Sequence, residues 1–136
     1  MPLLSRCFIR SGFLCLLLGL GLALASPLFA PAWSAALWPV QLHLLTVGWL
    51  TQLIFGVAWW LFPRGTGRAI AGRSAAGWAS FGMLVTGLGL RAGFEPMRWQ
   101  GHGSPMVSGL LTLSAGLQFV AAVAFAWAIW PRIRER

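Results

Sequence analysis

Few side chains in this chain can carry out chemistry, and the two histidines are the most informative of them. His43 lies in the apolar run QLHLLTVGWLTQLIFGVAWWLFPR, residues 41–64, and His102 lies between two glycines. An imidazole inside a membrane span is costly unless it is paired or functional, and neutral imidazole is a common metal ligand. His43 is therefore predicted to be a functional residue, or to hydrogen-bond Thr46, a carbonyl group or water. For His102 the alternative to a ligand role is a solvated loop side chain.

Groups suited to acid–base or nucleophilic catalysis are scarce. Glu95 and Glu135 are the only carboxylates of the chain, and no serine or cysteine has a general base within predicted reach. No predicted span contains Asp, Glu or Lys that could relay protons. Cys7 and Cys15 are predicted to be small buried hydrophobic residues. We therefore expect that the protein is neither a hydrolase nor a proton pump. We also expect that it is not an enzyme by itself.

The elements that position these residues are predicted from composition. Of 136 residues, 58% are hydrophobic and 9% are charged, with a mean hydropathy of +0.77, which predicts an integral membrane protein with the lipid bilayer as its solvent. The long apolar runs lack strand alternation, so the predicted fold is all-α. A single domain is expected, a bundle of four transmembrane helices at residues 11–30, 39–62, 72–93 and 105–130. Ser104 is the predicted N-cap of the fourth helix, and prolines are expected to end the second and the fourth.

Charge predicts the orientation of these spans. The cationic residues of the chain are all arginines, and eight of the ten fall on one side of the four-span topology: Arg6, Arg10, Arg64, Arg68, Arg73, Arg132, Arg134 and Arg136. The positive-inside rule then places both termini and the 63–73 loop in the cytoplasm, and the 31–38 and 94–103 loops outside. We expect a multi-pass protein of the inner membrane. No nucleic-acid-binding module is recognisable, and no nucleic-acid partner is expected.

The N-terminal segment has a second interpretation. Arg6, Arg10, a leucine-rich run and the tripeptide Ala-Leu-Ala at 23–25 are also typical of a cleaved signal peptide. The apolar run continues to Ala30, which favours a retained first helix. Both interpretations remain open from the sequence.

Small residues at four-residue spacing predict the packing faces. They are Gly48, Gln52 and Gly56 in the second span, Gly82 with Thr86 and Gly89 with Gly93 in the third, and Ser104, Ser108, Thr112 and Gly116 in the fourth. Small side chains allow the backbones of neighbouring helices to approach closely. We expect these faces to lie at helix–helix contacts.

The run around His43 also resembles a known helix. HLLTVGW followed by IFGVAWWLFP is similar to the second transmembrane helix of catalytic subunits in the haem-copper oxidase superfamily, especially nitric oxide reductase-like members, over about 24 residues. In that family the histidine of this helix ligates a low-spin haem, which implies the same role for His43. Gln41 stands where many members have another histidine. With two histidines in all, the chain cannot supply the copper centre of that family, so the resemblance implies a small relative without a binuclear centre, in a respiratory electron-transport chain.

A b-type haem is the cofactor that this resemblance implies. Axial ligands could come from His43 and His102, which are predicted at the same outer level. Arg91, Arg98 and Trp99 are predicted to lie there too and could hold the propionates. A plain ion pair between Arg91 and Glu95, at i and i+4, is the alternative. The chain lacks the C-x-x-C-H motif of covalent haem attachment.

Two further functions remain open from the sequence. Met97, His102 and Met106, with His43, form a nitrogen and thioether set that suits Cu(I), as in a copper-binding assembly factor. Alternatively, the chain is a cofactor-free structural subunit of a respiratory or photosynthetic membrane complex. Its partners would then be other membrane subunits or further copies of itself, in a homo-oligomer.

Overall fold

Four long helices make up most of the chain in the computed structural model, which describes residues 1–62, 69–101 and 103–134. The helices are α1 (Leu3–Ala25), α2 (Pro31–Leu61), α3 (Ala69–Trp99) and α4 (Pro105–Arg134), and a 3₁₀ turn, Ser26–Leu28, follows α1. The described residues contain no strand. The all-α prediction is confirmed.

Helix α2 changes its winding next to His43. An α-helical segment, Pro31–His43, passes into a π-helical segment, Leu44–Thr51, and then returns to α-helix over Gln52–Leu61. The Thr51 hydroxyl donates to the Thr46 carbonyl oxygen five residues earlier, at 3.1 Å, in keeping with the wider winding. A π-helical turn inside an α-helix is rare and is frequently found at functional sites.

Several prolines that were expected to lie at helix ends or in loops lie inside helices. Helix α2 begins at Pro31, with Pro39 inside it, so the prediction of a loop at 31–38 is wrong. Helix α3 runs through Pro96 to Trp99, and the predicted 94–103 loop is therefore wrong as far as Trp99. Helix α4 continues past Pro131 to Arg134. Each internal proline removes one backbone hydrogen bond, and the packing of a long helix can offset that local loss.

Two predicted helix ends are correct, and one helix starts earlier than expected. The Ser104 hydroxyl accepts a hydrogen bond from the Val107 N–H at 3.2 Å, as an N-cap should, and Pro105 is the first residue of α4. Helix α2 ends at Leu61, and Phe62 is extended, the conformation that a residue before proline prefers. Helix α1 begins at Leu3, eight residues before the predicted start.

Within the described residues, three helices are long and apolar enough to cross a membrane. They cover Leu3–Leu28, Pro31–Leu61 and Pro105–Pro131. The predicted third span, 72–93, lies in α3, and no part of α3 that the structure describes meets the same criteria. Glycine, serine and arginine residues lower the mean hydropathy of that helix.

An aromatic cluster joins all four helices. Phe8 of α1 is fully buried and meets the ring of Phe81 of α3 edge-on, with centroids 5.0 Å apart. Phe55 of α2 stacks on Phe125 of α4 at 3.8 Å, and the buried Trp59 lies beside Phe125. These contacts place the main core in the half of the bundle away from His43.

The glycine face of α2 packs against α1 as predicted. A Cβ on Gly48 would lie 2.8 Å from the Cβ of Cys15, and one on Gly56 would lie 2.9 Å from Cγ1 of Ile9. The Ser5 hydroxyl donates to the Gly56 carbonyl oxygen at 2.6 Å. Close backbone approach therefore holds this pair of helices together.

The predicted faces of α3 and α4 are wrong within the described chain. A Cβ on Gly82, Gly89, Gly93 or Gly116 would meet nothing within 4 Å. Other small residues form the contact instead: the Ser80 hydroxyl donates to the Ala121 carbonyl oxygen, and the Ser114 hydroxyl donates to that of Gly87, both at 2.7 Å.

Candidate functional site

His43 is held at the junction between the α-helical and π-helical segments of α2. Its Nδ1 lies 2.8 Å from the Pro39 carbonyl oxygen. Because a carbonyl oxygen can only accept, Nδ1 carries the hydrogen, and in a neutral imidazole the lone pair is then on Nε2. About 30% of the side chain is exposed. Hydrogen bonding of His43 to a neighbouring carbonyl, one of the predicted alternatives, is confirmed.

His43 lies farther along its helix than predicted. Because α2 begins at Pro31, its 31 residues span about 46 Å, which exceeds the roughly 30 Å of hydrocarbon in a bilayer. His43 is the thirteenth residue of this helix. A helix that began at Pro39, as predicted, would make His43 its fifth residue.

A carboxylate of α3 lies next to His43. Oε2 of Glu95 is 3.8 Å from Nδ1 of His43, and Oε1 of Glu95 accepts from Nη1 of Arg91 at 3.1 Å. Glu95 is 9% exposed, and the arginine partner compensates for the cost of burying its charge. The Arg91–Glu95 ion pair, predicted as one alternative, is confirmed.

Two atoms of this cluster lack a hydrogen-bond partner among the described residues. They are Nε of Arg91, a donor, and Oε2 of Glu95, an acceptor, and both are buried. Buried polar atoms in proteins are nearly always paired, so these two atoms are candidates for contact with a ligand or water. A molecule that binds both atoms must accept a hydrogen bond from Nε of Arg91 and donate one to Oε2 of Glu95.

A cavity of about 630 Å³ opens beside this cluster, between α3 and α4. Its lining consists of Arg91, Glu95, Arg98, Trp99, Leu111, Thr112 and Ala115. The first three lie at i, i+4 and i+7 and therefore share one face of α3. The structure thus brings Arg91, Arg98 and Trp99 together as predicted. His43 contacts Glu95 from α2 but is not part of the lining.

Sequence reasoning missed the place of Glu95 and Thr112 in this cavity. Glu95 was expected in a loop, where its helical spacing to Arg98 would carry no meaning. Thr112 was assigned to a packing face, but it is exposed and its hydroxyl donates to the Ser108 carbonyl oxygen within α4. Continuation of the i, i+4, i+7 pattern through Pro96 was the signal that could have located Glu95.

The remaining predicted site residues are less informative. His102 lies outside the described residues, so its role as a second axial ligand stays a prediction. Met97 and Met106 are 45% and 70% exposed. The described residues contain no group of three His, Cys, Asp or Glu side chains that could hold a metal ion, and the predicted copper set gains no support from these positions.

Comparisons of this chain with models of protein families, with curated proteins and with solved structures find no match. The resemblance of residues 41–64 to the haem-ligating helix therefore stays a prediction.

Proposed function

We propose that this chain is an integral membrane protein of the inner membrane that binds a b-type haem through His43 and passes electrons as an accessory unit. Four helices cross the bilayer in this proposal, and α3 crosses it shielded by its contacts with α2 and α4. Both termini lie in the cytoplasm. The chain has no binuclear centre and acts beside other membrane subunits.

Hydropathy and charge support the membrane placement. Three helices have the length and apolarity of membrane spans, and the arginine bias supports the proposed orientation. Helix α3 is less apolar, but Arg91 is paired with Glu95 inside the bundle, which lowers the cost of its charge.

Cysteine labelling tests the orientation. In a variant with Cys7 and Cys15 replaced by alanine, a single cysteine at Ala32 or Gly103, both exposed, is expected to react with a membrane-impermeant maleimide in intact spheroplasts. A cysteine at Leu3, also exposed, is the matched control and should react only after lysis. The reverse pattern would contradict the proposed orientation.

The environment of His43 supports a ligand role. A ligating histidine usually donates its second ring N–H to a carbonyl or carboxylate, which fixes the ring and the tautomer. His43 has this arrangement, with Nδ1 bonded to the Pro39 carbonyl oxygen and the Glu95 carboxylate 3.8 Å away. Nε2 is thereby left in the form that binds iron. This hydrogen bond is the observation that carries the proposal.

Each neighbour of His43 has a defined task. The Pro39 carbonyl orients the ring, and the Glu95 carboxylate stabilises positive charge that develops on it. Arg91 holds Glu95 in place through the bond between Nη1 and Oε1. The haem, when bound, supplies a one-electron carrier. Since Arg91 already has a carboxylate partner, the proposal rests on His43 and does not require the arginines to bind the propionates.

A cofactor-free structural subunit is the second candidate, and the unpacked glycines favour it. Gly82, Gly89 and Gly93 of α3 and Gly116 of α4 leave open space where a Cβ would be. Small residues on a membrane helix are suited to close contact with another helix. If the chain is such a structural subunit, His43 has no ligand role and its ring only hydrogen-bonds the Pro39 carbonyl oxygen.

An absorption spectrum of the detergent-purified protein, oxidised and dithionite-reduced, separates the two candidates. We expect a Soret band that shifts on reduction and resolved α and β bands, with iron near one equivalent per chain by elemental analysis. A preparation from haem-sufficient cells that lacks both the bands and the iron would contradict the haem proposal. Copper detected in the same sample by elemental analysis would favour the function of a copper-binding assembly factor.

A further inference from the structure

We propose that the cavity between α3 and α4 binds the headgroup of an anionic phosphoglycerol lipid, with phosphatidylglycerol as the type. The inference rests on the membrane placement proposed above but not on haem binding. It follows from the charge of the cavity, its unpaired polar atoms, its apolar wall and its depth.

The cavity has a net positive charge. Arg91 and Arg98 contribute two guanidinium groups against the single carboxylate of Glu95. One nitrogen of Arg91 is used by Glu95, while its Nε is buried without a partner. Arg98 is exposed, and the structure gives it no ion pair within the described chain. Arginine is well suited to phosphate because its donors match the phosphate oxygens.

The carboxylate adds a requirement that phosphate alone does not meet. Oε2 of Glu95 is buried, has no hydrogen-bond partner among the described residues and can only accept a hydrogen bond, while Nδ1 of His43 lies 3.8 Å from it. The phosphodiester oxygens of a phospholipid can only accept, so they do not satisfy this acceptor, whereas the glycerol hydroxyls of a phosphoglycerol headgroup are donors. The cavity therefore favours an anion that also carries hydroxyl groups. A choline headgroup offers no such donor.

The wall formed by α4 suits the start of an acyl chain. Leu111 and Ala115 provide apolar surface in the cavity wall. Leu111 is the seventh residue of α4, about 9 Å along the helix from its first residue, near the boundary between headgroups and acyl chains. Trp99, 62% exposed at the rim, has the side chain typical of that interface.

Native mass spectrometry of the full-length, delipidated protein in detergent tests the proposal. We expect phosphatidylglycerol to bind at least about tenfold more tightly than phosphatidylcholine and phosphatidic acid of the same acyl length. The variant Arg98→Gln should lose about tenfold in affinity for phosphatidylglycerol, as expected for loss of a charge-assisted contact worth about 1.4 kcal/mol or more. Arg73→Gln, which removes the same charge elsewhere on α3, is the matched control and should bind normally.

Other outcomes of the experiment would overturn the proposal. Equal affinity for phosphatidic acid and phosphatidylglycerol would show that Glu95 selects no hydroxyl group. Binding of free glycerol 3-phosphate as tightly as the lipid would assign the cavity to a soluble anion. Equal losses of phosphatidylglycerol affinity in Arg98→Gln and Arg73→Gln would mean that the lipid is attracted only by the overall positive charge of the protein. Haem is detected by the absorption spectrum and lipid by the bound mass, so failure of the haem proposal is distinguishable from failure of this one. If the protein is absent from the membrane fraction of cells, both the haem proposal and the lipid proposal are contradicted, because both rest on the membrane placement.

Discussion

Replacing Gly56 with leucine is expected to destabilise the packing of α1 against α2. A Cβ at this position would lie 2.9 Å from Cγ1 of Ile9, 3.0 Å from Cβ of Phe8 and 3.2 Å from the Ser5 carbonyl oxygen. Only the first of these atoms is on a flexible part of a side chain. The helices must therefore separate to admit the larger residue.

Separation of the helices also breaks a polar contact. The Ser5 hydroxyl bonds the Gly56 carbonyl oxygen in a buried position, and a net hydrogen bond contributes about 1 kcal/mol. Overpacking of a tight contact costs about 1–3 kcal/mol. We expect Gly56→Leu to lower the free energy of unfolding by about 2–4 kcal/mol, measured by circular dichroism during titration with sodium dodecyl sulfate in mixed micelles.

Gly21→Leu is the matched control for this experiment. Gly21 is also helical, in α1, and a Cβ there would meet nothing within 4 Å. Both substitutions raise helix propensity by the same amount, so the difference between them isolates the packing term. Identical denaturation midpoints for the two variants would contradict the α1–α2 interface.

The sequence contains enough information to predict helices but not which of their faces are covered. A four-residue spacing occurs along Gly48, Gln52 and Gly56, where both glycines pack, and also at Gly89 and Gly93, where a Cβ would meet nothing within 4 Å. Spacing defines a face of one helix. Whether another helix covers that face depends on the arrangement of the bundle, which the pattern within one helix does not specify.

Helix ends and the polar cluster were hard to predict for a related reason. The proline rules describe the local cost of a missing N–H, but the tertiary packing of α2 and α3 outweighs that cost at Pro39 and Pro96. Once 94–103 was assigned to a loop, the only contact predicted for Glu95 was the one with Arg91. The approach of Glu95 to His43, 52 positions away in sequence, depends on the register between two helices. The contact between Arg91 and Glu95, four residues apart, was predictable because it needs only one helix.

Replacement of His43 with alanine is expected to abolish haem retention. The imidazole supplies the proposed axial ligand, and alanine has no group that can coordinate iron. The variant should be purified under the same conditions as the wild type, and its reduced-minus-oxidised spectrum should lose the Soret, α and β bands. Because His43 is partly exposed and its ring bonds only its own helix and approaches Glu95, the fold is expected to survive, which circular dichroism checks.

Two further variants make the assignment specific. Gln41→Ala changes a polar residue two positions earlier on the same helix and should leave the spectrum unchanged. His102→Ala is expected to convert a six-coordinate spectrum to a five-coordinate one, since the second axial ligand would be lost while the first remains. Loss of all haem in His102→Ala together with retention in His43→Ala would reverse the two roles.

The hydrogen bond to Pro39 determines how the result for His43 is interpreted. If this bond orients a ligand, His43→Gln should also lose haem, because an amide of similar size can keep a polar contact to the helix but is not a ligand that haem iron takes in proteins. If His43 only occupies a place in the helix, His43→Gln should behave as the wild type in every measurement. A His43→Ala protein that keeps the complete reduced-minus-oxidised spectrum would contradict the axial-ligand assignment, and the bond to the Pro39 carbonyl would then be the whole role of His43 in α2.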